Sequence, residues 1–206
     1  MAATSVVITR ARDLLNDTGA VAHWTDAELL RWVSDAQRDI VTRIPVSNVT
    51  IESLTLTAST SEQDLTSITN VYRLIDVIRN THDVRNKVIF SSTEVEMALV
   101  DPGWHIAPAN STATVERYVY SVDTPTIVHV YPNPTSDTQI QLKVSKLPLE
   151  IALVSTELTL DDSYIPLMVD YTVARAFSKD SDFADSSASS VSSNKYEVGI
   201  ETRTGG

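Results

Sequence analysis

The apolar residues of this chain change their spacing twice, and this change restricts the fold more than any other feature of the sequence. Residues 5–17 carry apolar side chains at helical intervals, at Val7, Ala11, Leu14 and Leu15. Alternation with a period of two follows in the middle of the chain, and helical spacing returns near residue 163. We therefore predict an α+β fold, in which an N-terminal helix hairpin and a C-terminal helix form a bundle and a central antiparallel β-sheet or sandwich is inserted between them.

Two helices are predicted near the N-terminus, at about residues 5–17 and 25–43. Thr25 and Glu28 form a capping-box pair, in which each side chain binds a backbone N–H that the helix leaves unpaired. Pro45 ends the second helix, because proline has no amide hydrogen and restricts the residue before it.

The β-rich part is predicted over about residues 50–147. Residues 73–79 are typical of a strand, and residues 87–90 are expected to return antiparallel to it. A short helix is expected at residues 92–99. Three further strands are expected to form an antiparallel meander: Val115–Val122, Thr126–Tyr131 and Thr138–Ser145.

The third long helix, predicted over about residues 163–180, is apolar on two faces. A helix that is apolar on both sides is buried on both sides, so it is either the hub of its own domain or shared with a neighbouring subunit. The segment that follows is rich in serine, a weak helix former. We therefore predict a single domain over residues 1–185 and a tail over residues 186–206, either a marginal helix or an extended arm.

Several classes of chemistry are excluded or disfavoured by the composition. The chain has no cysteine, and it has no glycine-rich phosphate loop. Its four histidines lack metal-ligand spacing, and Asp161 and Asp162 are explained by their place at a helix N-terminus. We therefore predict that the protein is not an enzyme and binds no metal or cofactor.

The charge and hydropathy of the chain also restrict its partners. A net charge of −11 argues against nonspecific binding along the phosphate backbone of DNA. No stretch approaches the roughly 18 apolar residues of a membrane span, so we expect no membrane contact. One basic cluster, on a predicted hairpin tip, is either a contact to DNA or an acidic partner or simply a solvated turn; it contains Arg79, Arg85 and Lys87.

A series of short strings occurs in a fixed order along the chain. It includes residues 24–32, 101–105, 128–132 and 175–180. Together they resemble the head-to-tail adaptor proteins of tailed bacteriophages, the tail-tube A-like connectors of short-tailed phages, over about residues 5–185. The serine-rich residues 186–193 depart from the alanine-rich last helix of related chains.

The resemblance implies a structural virion protein, made in the host cytoplasm and placed in the neck between head and tail. About twelve copies would form a ring. The portal would bind on one side and a tail nozzle or tail-tube protein on the other, and genomic DNA would pass through the central channel during packaging and ejection.

Site residues are expected on this basis in two groups. The C-terminal segment is expected to clasp the portal, and its removal from residue 195 is expected to leave the fold intact; its contact residues would be Lys195, Tyr196, Val198, Ile200 and Arg203. Contacts between subunits are expected at Trp24, Tyr164, Leu167, Tyr171 and Phe177.

Three alternatives remain open. The first is a tail-completion protein that never touches the portal. The second is a β-sandwich that binds a glycan or receptor, and the third is a hydrolase that uses Asp161 or Glu157. The glycan-binding alternative needs exposed aromatic side chains on a sheet, for which the candidates are Tyr118, Tyr120 and Tyr131.

Overall fold

The structure is a computed structural model, and it describes residues 2–19, 22–81, 86–106, 111–135, 138–179 and 183–205. Its helices are α1 (Thr4–Leu14), α2 (Asp26–Arg43), α3 (Glu94–Val100), α4 (Ile165–Ser178) and α5 (Ser186–Thr204). Its strands are β1 (Val49–Thr55), β2 (Glu62–Asp64), β3 (Val71–Asn80), β4 (Phe90–Ser91), β5 (Arg117–Tyr120), β6 (Ile127–Tyr131) and β7 (Gln139–Lys146). The predicted α+β class is confirmed.

Contacts divide the chain into two compact units. A helical unit contains Met1–Asn48 and Leu147–Gly206, and a β unit contains Val49–Lys146. The β unit is thus an insertion between two parts of the helical unit, as the change of apolar spacing indicates.

Local sequence signals place the ends of α1 and α2. The hydroxyl of Thr25 accepts the Glu28 N–H at 3.3 Å, and the Glu28 carboxylate accepts the Thr25 N–H at 3.0 Å, so the capping box is confirmed. Helix α2 ends before Pro45, as predicted. Helix α1 ends at Leu14 rather than at residue 17, because Asn16 adopts a left-handed conformation with φ of 52°.

Helix α4 is the hub of the helical unit. Helices α1, α2 and α5 all pack against it, and its buried residues lie on both of its faces. The serine-rich segment forms the 19-residue helix α5 rather than an extended arm. Asp185 caps this helix, since its carboxylate accepts the N–H groups of Ser187 and Ala188 at 2.9 Å. The cap and the contact with α4 offset the weak helix propensity of serine.

The β unit contains two sheets that share one apolar core. The first sheet is antiparallel, in the order β1-β7-β3. The second has the order β2-β6-β5-β4, in which β4 runs parallel to β5 and the other pairs are antiparallel.

One of the predicted strand pairings is wrong, and the predicted antiparallel return of residues 87–90 onto β3 is confirmed at one bridge. Strands β5 and β6 pair as expected, but β7 does not follow them in a meander; it lies at the centre of the other sheet. Alternation determines which side chains of a strand are buried, not which strand is its neighbour. The predicted return strand at residues 87–90 reaches β3 through one bridge, between Arg79 and Val88, before Phe90 pairs with β5.

Helix α3 and Trp104 cover part of the second sheet. Thr93 and Glu96 form a second capping box at the start of α3. Trp104 is buried against Met97 and Val119. Trp104 therefore packs over this sheet.

Candidate interaction surfaces

Helix α5 divides the residues expected at the portal into buried and exposed groups. Tyr196 and Ile200 are 3% and 4% exposed and are therefore covered within the helical unit. In this conformation they offer no surface to a partner, and their expected contact with the portal stays a prediction. Lys195 and Val198 are exposed. Arg203 is exposed too, and its guanidinium donates to the carbonyl oxygen of Ser163 at 3.0 Å.

A polar network joins α5 to α2 and α4. The Tyr196 hydroxyl donates to the Asp39 carboxylate at 2.5 Å. Arg43 binds the same carboxylate at 3.0 Å and Glu197 at 2.5 Å. The rings of Tyr171 and Tyr196 meet edge to face, with centroids 5.2 Å apart. Burial, followed by the bond to Asp39, raises the pKa of Tyr196 above its ordinary value.

The residues expected at contacts between subunits also fall into a buried group and a half-buried group. Trp24 and Leu167 are buried inside the helical unit. Trp24 packs edge to face on Phe177, with ring centroids 6.2 Å apart, which explains its place directly before the cap of α2. Tyr164, Tyr171 and Phe177 are half-buried, so part of each remains accessible to a neighbour.

A shallow groove lies on the helical unit where α1 meets α4. Its volume is about 410 Å³, and exposed Leu14 and buried Val169 line it together with Arg10, Asp13, Pro166 and Asp170. Burial raises the pKa of Asp170, and the ammonium group of Lys195 partly opposes that change. The lining includes the cation Arg10 and the acidic residues Asp13 and Asp170, so this groove contains charges of both signs.

The basic cluster is only partly described. Arg79 donates through Nε to Oε1 of Gln141 at 2.9 Å, and its backbone bridges Val88. Lys87 is exposed close to that bridge, whereas Arg85 lies outside the described residues. The structure therefore brings Arg79 and Lys87 to the same edge of the β unit.

Beside this edge is a groove along β4, which we call the β4 groove. It has a volume of about 440 Å³ and is lined by Lys87, Val88, Phe90, Val115, Glu116 and Arg117. Phe90 and Val88 are 67% and 58% exposed, although both are large apolar residues. Exposed apolar groups that are rimmed by charge are typical of a protein interaction site.

Asn80 supports the β4 groove from behind, because its side chain binds the backbone of two lining residues, Lys87 and Val115. Its side chain is fully buried, and Nδ2 donates to the carbonyl oxygens of Lys87 at 3.0 Å and Val115 at 2.8 Å. Its Oδ1 accepts the Val115 N–H at 2.9 Å. The sequence shows only an asparagine at the end of a predicted strand. It does not show that the side chain binds Val115, which is 35 residues away.

Asp161, one of the two carboxylates considered for catalysis, has a structural partner. Asp161 accepts the Ser163 N–H at 2.9 Å, and this bond lowers the pKa of the Asp161 carboxyl. Within the described ranges, no three His, Cys, Asp or Glu side chains are grouped as metal ligands would be. No helix in the described part of the chain is both long and apolar enough to span a membrane.

An exposed apolar patch with a charged rim, such as the β4 groove, is typical of a surface that binds another protein. The chain matches the family model described as SU10 adaptor protein over residues 2–204. It therefore belongs to the SU10 adaptor protein family, a family of structural bacteriophage proteins, and is a virion component that associates with other virion components. No curated protein matches the chain.

Proposed function

We propose that this protein is a head-to-tail adaptor of the tail-tube A-like type, which forms a ring between the portal and the tail. The observation that carries the proposal is the family match over nearly the whole chain. The ring has about twelve copies. The portal binds one side, and a tail nozzle or tail-tube protein binds the other.

A ring of identical subunits needs two different surfaces on each chain, because every contact is heterologous. The helical unit offers its half-buried aromatic residues Tyr164, Tyr171 and Phe177, and the β unit offers the β4 groove. The exposed side of α5, with Lys195, Val198 and Arg203, is the surface that we assign to the portal.

The net charge of −11 supports a role in conducting DNA rather than holding it. Carboxylates that line a channel repel phosphate groups and keep a moving duplex from binding to the wall. DNA therefore touches the ring only transiently, during packaging and ejection, and Arg79 is the described cation of the basic cluster that we assign to such a contact.

Negative-stain imaging of the protein mixed with the portal ring of the same particle tests this proposal. Each component is imaged alone as a control. We expect an added layer on the portal with matching symmetry. Absence of that layer on an intact portal contradicts the adaptor role and favours a tail-completion protein.

The glycan-binding alternative loses support from the three tyrosines on which it depends. Tyr118 is buried, and its hydroxyl donates to Asp76 at 3.0 Å. The hydroxyl of Tyr120 donates to the carbonyl oxygen of Pro125 at 3.2 Å. Tyr131 is half-buried beside Asp101. These side chains do not form the exposed aromatic platform that a sugar ring requires.

A further inference from the structure

The helical unit carries an exposed apolar segment that complements the β4 groove. Residues 149–153 form no helix or strand, and Leu149 and Leu153 are 68% and 63% exposed. Glu150 lies between them and is also exposed. The segment thus combines two apolar side chains with a negative charge, whereas the β4 groove combines Phe90 with positive charges.

The backbone of this segment is held in place by helix α2. The N–H of Ile151 donates to Ser34 Oγ at 2.9 Å, and Nε of Arg38 donates to the carbonyl oxygen of Pro148 at 3.1 Å. These bonds anchor the chain while the two leucines stay at the surface. A segment that is already ordered loses little entropy on binding.

We propose that residues 149–153 of one copy bind in the β4 groove of a second copy. This contact rests on the proposed ring, and it supplies the two unlike surfaces that a heterologous contact needs. Leu149 and Leu153 cover Phe90 and Val88, and Glu150 faces Lys87 and Arg117. The contact removes exposed apolar area from water on both partners and pairs opposite charges at its rim.

The composition of the groove favours a protein segment over DNA. Val88 and Phe90 give it an exposed apolar surface, to which a phosphate backbone makes no favourable contact. Proteins that bind DNA without sequence preference instead use extended basic surfaces. A peptide segment with apolar side chains and one carboxylate matches the exposed Phe90 and the cations Lys87 and Arg117 of the groove.

An engineered disulfide tests the contact in the assembled ring. The chain has no cysteine, so a Phe90→Cys and Leu149→Cys double variant has no competing thiol. A disulfide forms only where the two Cα atoms lie within roughly 7 Å. After mild oxidation on the portal, we expect a ladder of cross-linked chains. The matched control combines Leu149→Cys with Val122→Cys, because Val122 is 64% exposed in the same unit as Phe90 but does not line the groove.

A charge exchange gives a second readout that does not depend on disulfide geometry. Lys87→Glu and Glu150→Lys are each expected to weaken ring assembly about tenfold, and the double variant is expected to recover most of that loss. Recovery requires the two side chains to meet between copies. Phe90→Ser should weaken assembly as well, with the unfolding midpoint unchanged.

The outcomes separate this contact from the proposed function. A ring that shows neither the cross-link nor the charge rescue overturns the contact and leaves the adaptor role standing. Failure of the wild-type protein to form any ring on the portal overturns both. If duplex DNA protects the thiol of the Phe90→Cys variant from oxidation and Glu150→Lys has no effect, the groove belongs to DNA and the contact is also overturned.

Discussion

Gly199 lies so close to Leu167 that a Cβ atom on the glycine would be 2.3 Å from Cδ2 of the leucine. This approach brings the backbone of α5 onto α4. Glycine costs about 1 kcal/mol relative to alanine inside a helix. At this position the absence of a side chain leaves the space into which Leu167 packs.

The effect of substitutions at Gly199 on the free energy of unfolding should therefore differ from the effect that helix propensity alone predicts. Gly199→Leu is expected to lower the free energy of unfolding by about 1–3 kcal/mol, because the added side chain overpacks the contact with Leu167. Gly199→Ala should fail to provide the gain of about 1 kcal/mol that alanine gives at an open helical position. Urea denaturation measures both changes. Asn194→Leu, at an exposed position of α5, should leave stability nearly unchanged; a fully stabilising Gly199→Ala would contradict the close contact.

Removal of residues 195–206 is expected to destabilise the helical unit, which revises the expectation from the sequence that the fold would stay intact. The deletion takes away Tyr196 and Ile200 and exposes the α4 surface that they cover. Loss of large buried side chains costs about 2–5 kcal/mol each, so the urea midpoint should fall sharply. A Lys195→Ala and Val198→Ser variant changes only exposed positions and should retain the wild-type midpoint. Equal midpoints for the deletion and this control would show that α5 is not part of the packed unit.

The helices could be predicted from the sequence because their signals are local. Thr25 and Glu28 mark the start of α2, and Pro45 marks its end, within a few residues of chain. The role of α5 could not be predicted, because serine disfavours a helix and its stabilising partners lie on distant elements. Asp39, which binds Tyr196, is 157 residues away in sequence.

Tyr196→Phe should change the response of stability to alkaline pH. Burial and the bond to Asp39 raise the pKa of Tyr196 above its ordinary value of 10.0. The protonated hydroxyl therefore contributes stability that is fully present below about pH 10 and is lost as the pH rises further. Phenylalanine removes the bond, so the variant should be about 1 kcal/mol less stable at neutral pH and should lose less stability than the wild type above pH 10.0.

Chemical denaturation over the alkaline range measures this difference between wild type and Tyr196→Phe. Tyr164→Phe serves as the control, because Tyr164 is half-buried in the same helical unit and should follow the wild-type profile. Identical alkaline profiles for wild type and Tyr196→Phe would contradict a role for the Tyr196 hydroxyl in holding α5.

Glu28→Gln should act at the acidic end of the pH range. The ammonium of Lys179, 2.6 Å away, and the N–H of Thr25 lower the pKa of Glu28 from 4.5 to about 2. The ionised carboxylate thus contributes stability above pH 4.5, which is lost as the pH falls towards 2. Because the pair is partly exposed, we expect a cost of only about 0.5–1 kcal/mol at neutral pH.

The gap between wild type and Glu28→Gln should close between pH 4.5 and 2. Glu62→Gln, at an exposed position of β2, serves as the control and should follow the wild-type profile. A gap that stays constant with pH would show that the loss arises from helix capping alone and not from titration of Glu28.

The β4 groove illustrates a second limit of sequence reasoning. The sequence alone identifies Arg79 and Lys87 as a cluster, because they are near each other in the chain. Val115 and Arg117 complete the groove because β4 pairs parallel to β5, and no local pattern predicts that pairing. The basic residues could therefore be found from the sequence, whereas the apolar surface beside them required the fold.

Asn80→Ala should disrupt the β4 groove from within the β unit. The variant loses the buried amide that binds the carbonyl oxygens of Lys87 and Val115 and the N–H of Val115. Buried groups left without a partner cost about 1–3 kcal/mol each, so we expect the free energy of unfolding to fall by about 3 kcal/mol and ring assembly to weaken. Gln139→Ala removes an exposed amide on β7 and should change stability by less than about 0.5 kcal/mol. Urea denaturation of the two variants side by side measures the difference, and equal losses would mean that Asn80 does not hold the groove together.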